Sequence, residues 1–396
     1  MNKLQRVESL PLILSFLYCL ILFYIKALVG WMFSIELIDG HQEYLLSALI
    51  FIFLSLFPVF FLLYFFPFFR LNTSLAENPI PYSRGILLSI VSITVSISLL
   101  IIAIYTRGSS AISDFYGNRI LIEHGIYAPL TIMYTPVLVS IAIIWGMRPN
   151  VMGFIIVLLN AIIWGIFFSK GFILVYTLLI YFGLRNSYKN RSYFRSVLTF
   201  MFLIIFVVFL GRLRSGGDLS DIIGISEFEF LLKIILYRVD QLDSFVLVMA
   251  QEQLDYSLSF FKELIDSILY TVPRFIYEEK PDSFSMEMTK NLRPLVYEAN
   301  AANNFTVFSQ FKMLFGWFAP PFISIAFVIF FASMGLIQRL LFKTRGGFLI
   351  FVFAMIIPCF MTIISTGIFR DYVILLALYS MVGIMFIHFI LFTKTK

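Results

Sequence analysis

Charge is scarce in this sequence. Asp, Glu, Lys and Arg make up 13% of its 396 residues, against about 25% in an ordinary soluble domain. So little charge cannot coat a water-soluble globule of this length. The 48 Phe residues equally exclude a disordered chain, whose composition is poor in aromatics.

Cysteine and histidine are nearly absent. Cys19 and Cys359 both fall inside apolar runs, which argues against a disulfide framework. His41, His124 and His388 are far apart and share no ligand spacing, so no metal site is expected. Also missing are the phosphate-cradling G-x-x-x-x-G-K-[ST] loop and the H-E-x-x-H zinc pattern. The energy for any reaction must therefore arrive with the substrate or from a gradient, and no cofactor is expected. No repeat with a period of 20–50 residues occurs.

What is present is a series of long apolar blocks. They span 9–33, 44–69, 86–105, 128–147, 151–169, 171–184, 194–211, 313–338, 347–366 and 372–391. A bilayer core needs roughly 20 mostly apolar residues per helix. The expected fold class is an all-α polytopic integral membrane protein of about ten transmembrane helices with one large external loop. Continuous blocks, as opposed to short alternating ones, exclude a β-barrel. The first block follows Lys3 and Arg6. It is too long for a signal-peptide core and lacks a small-residue cleavage site, so it reads as a retained helix.

Basic residues in short loops set the expected orientation. With the N-terminus in the cytoplasm, Lys3, Arg6, Arg70, Arg84, Arg148, Arg185, Lys189, Arg191, Arg195, Arg339, Lys343, Arg345, Lys394 and Lys396 all fall inside. Acids dominate the short outer loops, with Glu36, Asp39, Glu43, Asp114, Glu123 and Asp371. Both termini are thus expected in the cytoplasm. The net charge of +6 is a topology signal and not a nucleic-acid surface. Lys26, inside the first block, is expected to snorkel outward.

Residues 211–312 break the rhythm and separate an N-terminal membrane region (1–210) from a C-terminal one (313–396). This segment holds 15 acidic and 10 basic residues and falls outside by alternation. Leu258, Phe261, Ile265, Ile268 and Leu269 recur at helical spacing. Such a helix suits a membrane surface or the cover of a cavity, and Pro273 ends it.

Four constellations carry chemistry. The first is Gly211-Arg212-Leu213-Arg214-Ser215-Gly216-Gly217-Asp218. Guanidinium forks pair with phosphate oxygens, and glycines let backbone N–H groups approach an anion. The plainer reading is a pair of arginines reaching headgroups from a helix end. The second is Arg238-Val239-Asp240-Gln241-Leu242-Asp243, either a structural charge cluster or the lining of an aqueous cavity that offers a base. The third runs from Pro273-Arg274 to Lys280-Pro281, a basic elbow between two prolines. The fourth is Asn303-Asn304-Phe305-Thr306 leading to Phe315-Gly316-Trp317, which also suits an interfacial anchor. Lys170 and Arg370 stand at outer helix ends, where an anionic lipid or ordinary headgroup contact would explain them.

The order of these four constellations resembles the Wzy-type oligosaccharide repeat-unit (O-antigen) polymerases of bacterial inner membranes. The sharper part of the resemblance runs from Gly211 to Trp317. Tyr277 stands where that family often has Trp, Glu278 where Pro is common, and Lys170 where Arg is expected. The family plan is similar to that of O-antigen ligases and of membrane-embedded C-type glycosyltransferases.

The resemblance implies polymerisation of undecaprenyl-pyrophosphate-linked oligosaccharides at the outer face of the cytoplasmic membrane. The growing chain moves onto a new lipid-linked unit and lipid pyrophosphate leaves. A chain-length regulator protein is an implied partner alongside the lipid bilayer, and neither a cofactor nor nucleic acid is implied. Negative charge builds on the leaving group, and fixed cations there stabilise the transition state. The cations are Arg212, Arg214, Arg274 and Lys280, then Lys170, Arg238 and Arg370. The acceptor hydroxyl needs a base, with Asp218, Asp240 and Asp243 as open alternatives. Tyr237, Tyr256, Tyr270 and Tyr277 are available to stack on sugars. The rival readings are an O-antigen ligase, a flippase for the same lipid-linked sugars and a multi-span acyltransferase.

Overall fold

The computed structural model of the chain describes residues 10–32, 41–65, 82–107, 127–148, 150–164, 172–188, 241–251, 259–272, 277, 279, 281–298, 305–341, 345–368 and 373–392. Among these residues every regular element is a helix and none is a strand. Helices fall on each expected apolar block except 194–211, which lies outside the described residues. Among the described residues, four stretches are long and apolar enough to cross a membrane: Ser15–Met32, Gln42–Leu62, Val307–Gln338 and Gly347–Thr366.

The chain divides into two compact units. The first comprises Met1–Ser74, Phe230–Lys343 and Ile356–Ala377. It opens with α1 (10–32), in which the π-helical stretch Leu20–Ile25 interrupts regular winding just before Lys26. A π segment widens the turn and re-aims the face that follows it. Helix α2 (Leu45–Phe65) runs antiparallel to α1: Phe16 meets Phe60, while Tyr24 Oη donates to the Leu49 carbonyl. Large apolar side chains at 46, 50, 53, 54, 57 and 61 of α2 stand exposed on one face, as a lipid-facing stripe requires.

The second unit comprises Leu75–Glu229, Thr344–Met355 and Leu378–Lys396. Its helices are α3 (Tyr82–Arg107), α4 (Tyr127–Met147), α5 (Val151–Ile162) and α6 (Phe172–Tyr188). Asn150 caps α5 by accepting from the Gly153 N–H at 2.6 Å, which satisfies an otherwise orphaned donor. Gly383 lies where a Cβ would meet the Met133 carbonyl oxygen of α4 at 2.4 Å. Small residues at such crossings let membrane helices approach closely.

The region 241–315 of the first unit forms short helices: α7 (Gln241–Ala250), α8 (Phe260–Thr271), α9 (Phe284–Leu292), α10 (Pro294–Glu298) and α11 (Val307–Phe315). Residues 241–249 of α7 are all buried, and α7 packs against α1, α2 and α11. Val248 joins Phe284, Met288 and Phe305 in a small core that fixes α9 to α7. Helix α8 stops at Val272, whose extended backbone (φ −70°, ψ 132°) is the conformation a following proline demands.

The block expected to begin at 313 is broken near its start. Helix α11 ends at Gly316, which has φ 58° and ψ −136°, a region open to glycine and costly for other residues. A single 3-10 turn, Gly316–Phe318, then leads into α12 (Ala319–Leu341). Arg345–Phe351 forms α13 and, after the π-helical stretch Val352–Ile356, Ile357–Thr366 forms α14. The last helix is α15 (Val373–Phe392).

Candidate functional site

Lys26 is where expectation and structure part. It does not snorkel outward. It is 2% exposed, and its Nζ donates to Asp243 Oδ2 at 2.8 Å. Tyr24, inside the π stretch, reaches α2, whereas Lys26, just past it, reaches Asp243 of α7. A charge pair this deep persists because each charge compensates the other; either alone would carry a large desolvation penalty.

Aromatic rings link the helices that carry the pair to α2 and α11. Phe308 of α11 packs edge-on to Phe23 of α1 and lies against Phe245 of α7. Phe51 of α2 touches both Phe245 and Trp317. Gln241 and Ser244, beside Asp243 on α7, are buried too. The Gln241 Oε1 and Ser244 Oγ atoms have no hydrogen-bond partner among the described residues.

A second buried polar link lies on α11. Its N-terminus is capped by Thr306, whose hydroxyl accepts from the Ser309 N–H at 3.3 Å. One turn on, Gln310 Nε2 donates to Glu263 Oε2 of α8 at 3.2 Å. The Gln310 Oε1 accepts the Ile368 N–H at 2.9 Å, just past Gly367 (φ 103°) at the end of α14. Gln310 thus clamps α8, which leads to Pro273 and Arg274, to the turn that leads to Arg370.

Of the residues expected to act, Asp243 is positioned by these contacts. Arg212, Arg214, Asp218, Arg238, Asp240, Arg274, Lys280, Lys170 and Arg370 lie outside the described residues, as do Tyr237 and Tyr256. Tyr270 and Tyr277 are half-buried. Phe315-Gly316-Trp317 is the break between α11 and α12, with Lys312 Nζ over the Trp317 ring at 4.6 Å. Cys19 and Cys359 are free, buried thiols.

Sequence reasoning misplaced Lys26 and assigned no partner to Glu263 or Gln310. A lysine deep in an apolar run is itself a signal, since intramembrane charges seek a partner. Glu263 and Gln310 carry no comparable mark.

The second unit holds a different polar cluster. Ser92 and Ser96 of α3 donate to Asn160 Oδ1 of α5 at 2.7 and 3.1 Å. Tyr134 Oη of α4 donates to the Ser92 carbonyl at 2.6 Å, and Trp164 Nε1 donates to Ser96 Oγ at 2.7 Å. The Tyr134 and Trp164 rings stack at 4.0 Å. This network is neutral and mutually satisfied, which suits helix–helix cohesion in an apolar setting. Among the described residues no three His, Cys, Asp or Glu side chains gather into a group that could hold a metal ion. Compared with known proteins, the chain matches no family model, no curated sequence and no solved structure.

Proposed function

We propose that the chain is a polytopic membrane glycosyltransferase that polymerises undecaprenyl-pyrophosphate-linked oligosaccharide units. It would work at the outer face of a bacterial cytoplasmic membrane, with about ten spans, both termini cytoplasmic and the 211–312 segment periplasmic. The order of the four constellations suggests it. The observation that supports it most is convergence on one ring. Phe51 touches Phe245, two residues past Asp243 of the second constellation, and Trp317 of the fourth. The helices flanking the third, α8 and α9, are tied to the same α7–α11 pair through Gln310 and Phe284.

In this reading Arg212, Arg214, Arg274 and Lys280 receive the charge that develops on the departing pyrophosphate. Lys170, Arg238 and Arg370 supplement them. Asp243 has Oδ2 engaged by Lys26, so it acts as an anchor for the second constellation. Asp218 and Asp240 remain as bases for the acceptor hydroxyl. No metal or nucleotide enters, because the donor carries its own leaving group.

Deleting the gene and resolving the surface polysaccharide on a gel tests this. A polymerase deletion loses the ladder and leaves single repeat units attached to their acceptor. Loss of the single unit as well would instead assign the chain as a ligase or flippase.

A further inference from the structure

We propose that α8 is an in-plane membrane helix whose apolar face is covered by bilayer lipid. Its burial runs opposite to that of a helix on a water-soluble core. Glu263 is 0% and Ser267 3% exposed, whereas Phe261 is 74%, Ile265 57% and Ile268 59% exposed. Leu264 shares the outer face. Covering each such side chain contributes roughly 1.5–3 kcal/mol, so a face of four left in water is heavily disfavoured.

Continuity with a spanning segment identifies the cover. Phe261 meets Phe260 at 5.9 Å, Phe260 meets Phe315 at 6.2 Å, and Phe315 stacks on Phe322 at 4.5 Å. Phe322 then opens the exposed stripe of α12, continued by Ile325, Ile329 and Leu336. That stripe belongs to Val307–Gln338, a stretch long and apolar enough to cross a membrane. One aromatic path therefore joins the outer face of α8 to a lipid-facing surface, and the same medium covers both.

The neighbouring groups suit the headgroup boundary. Trp317 and Phe318 are exposed at the head of α12, and Lys312 lies over the Trp317 ring. Aromatic rings and snorkelling lysines mark the edge of the hydrocarbon layer. Lys262 is exposed on the flank of α8, one position from the apolar face, as expected for a helix lying in the interface. The Glu263–Gln310 bond turns the carboxylate inward and sets this rotation of the helix.

Bilayer contact by α8 requires no particular reaction, and its test reads lipid proximity alone. Single cysteines replace Ile265, Ile268 or Lys290 in the full chain, with Cys19 and Cys359 changed to Ser. Each is labelled with an environment-sensitive fluorophore and placed in phosphatidylcholine–phosphatidylglycerol vesicles containing shallow spin-labelled lipid. The expected result is several-fold stronger lipid quenching at 265 and 268 than at 290, with low iodide access. High iodide access without lipid quenching at 265 and 268 overturns the proposal. So does shielding from both quenchers together with 265–265 cross-linking, which assigns the face to a second copy. If the labelled variants misfold, Ile265→Trp with brominated lipid, compared with the parent, gives the same decision.

Discussion

Lys26 and Asp243, 217 positions apart, are joined by a buried 2.8 Å hydrogen-bonded ion pair within the first unit. The bond fastens the first apolar helix to a segment that composition alone assigns to an outer loop. Removing one partner deprives the other buried charge of this ion pair, and breaking a buried pair costs about 3–5 kcal/mol. Asp243→Ala and Lys26→Ala should therefore each lower the melting temperature of the detergent-purified protein sharply. The double replacement Lys26→Met with Asp243→Leu should recover most of the loss. If Asp243 is an anchor, the polymer ladder returns with stability. A well-folded double variant that makes no polymer would make Asp243 the base instead.

Gln310 serves two elements at once, through Glu263 and the Ile368 N–H. Gln310→Leu leaves a buried carboxylate and a backbone donor short of a partner, at about 1–3 kcal/mol each. Hydrogen exchange should rise in α8 and in residues 366–368 together. Faster exchange confined to one of them would mean the clamp does not couple them.

Gly316 carries the break between α11 and α12 in a left-handed conformation. Among the described residues, nothing apart from its chain neighbours lies within 4 Å of where a Cβ would stand, so the penalty comes from the backbone. Gly316→Ala should cost about 1–3 kcal/mol, with no loss for Gly183→Ala, where the space is equally open and the backbone is helical. Thermal melting of both variants checks the contrast.

Asn160 accepts from two serines of α3 and donates to the Ile156 carbonyl at 2.9 Å. Membrane hydrogen bonds of this type are worth about 0.6 kcal/mol on average. Asn160→Leu removes both serine hydrogen bonds, so it should destabilise modestly, by about 1–2 kcal/mol, and leave polymer length unchanged. A shortened or absent ladder in a stably inserted variant would move function into the second unit.

The helical blocks were legible in the sequence because an apolar run of this length has one way to satisfy its backbone groups internally. The amphipathic character of α8 was legible for a similar reason, since it is a local periodicity. Which face of α8 turns inward was not, because Gln310, 47 positions away, decides it. The destination of Lys26 was hidden in the same way. Charge alone suggests snorkelling, and only the distant Asp243 makes burial tolerable. Phe315-Gly316-Trp317 was visible as a motif at a helix entry, but the break at Gly316 was not, because the apolar run from 313 continues through it.

Glycosyl transfer from a lipid pyrophosphate is the reaction proposed for the chain, and purified protein in vesicles measures it. Undecaprenyl-pyrophosphate-linked repeat units would be the only substrate supplied, with product length and released lipid pyrophosphate measured together. The reaction should yield a ladder of lipid-linked oligomers with one lipid pyrophosphate freed per bond formed, and should fail in Arg212→Ala and Arg274→Ala variants that still insert. Transfer of units across the membrane without bond formation, or full activity in both variants, would contradict it.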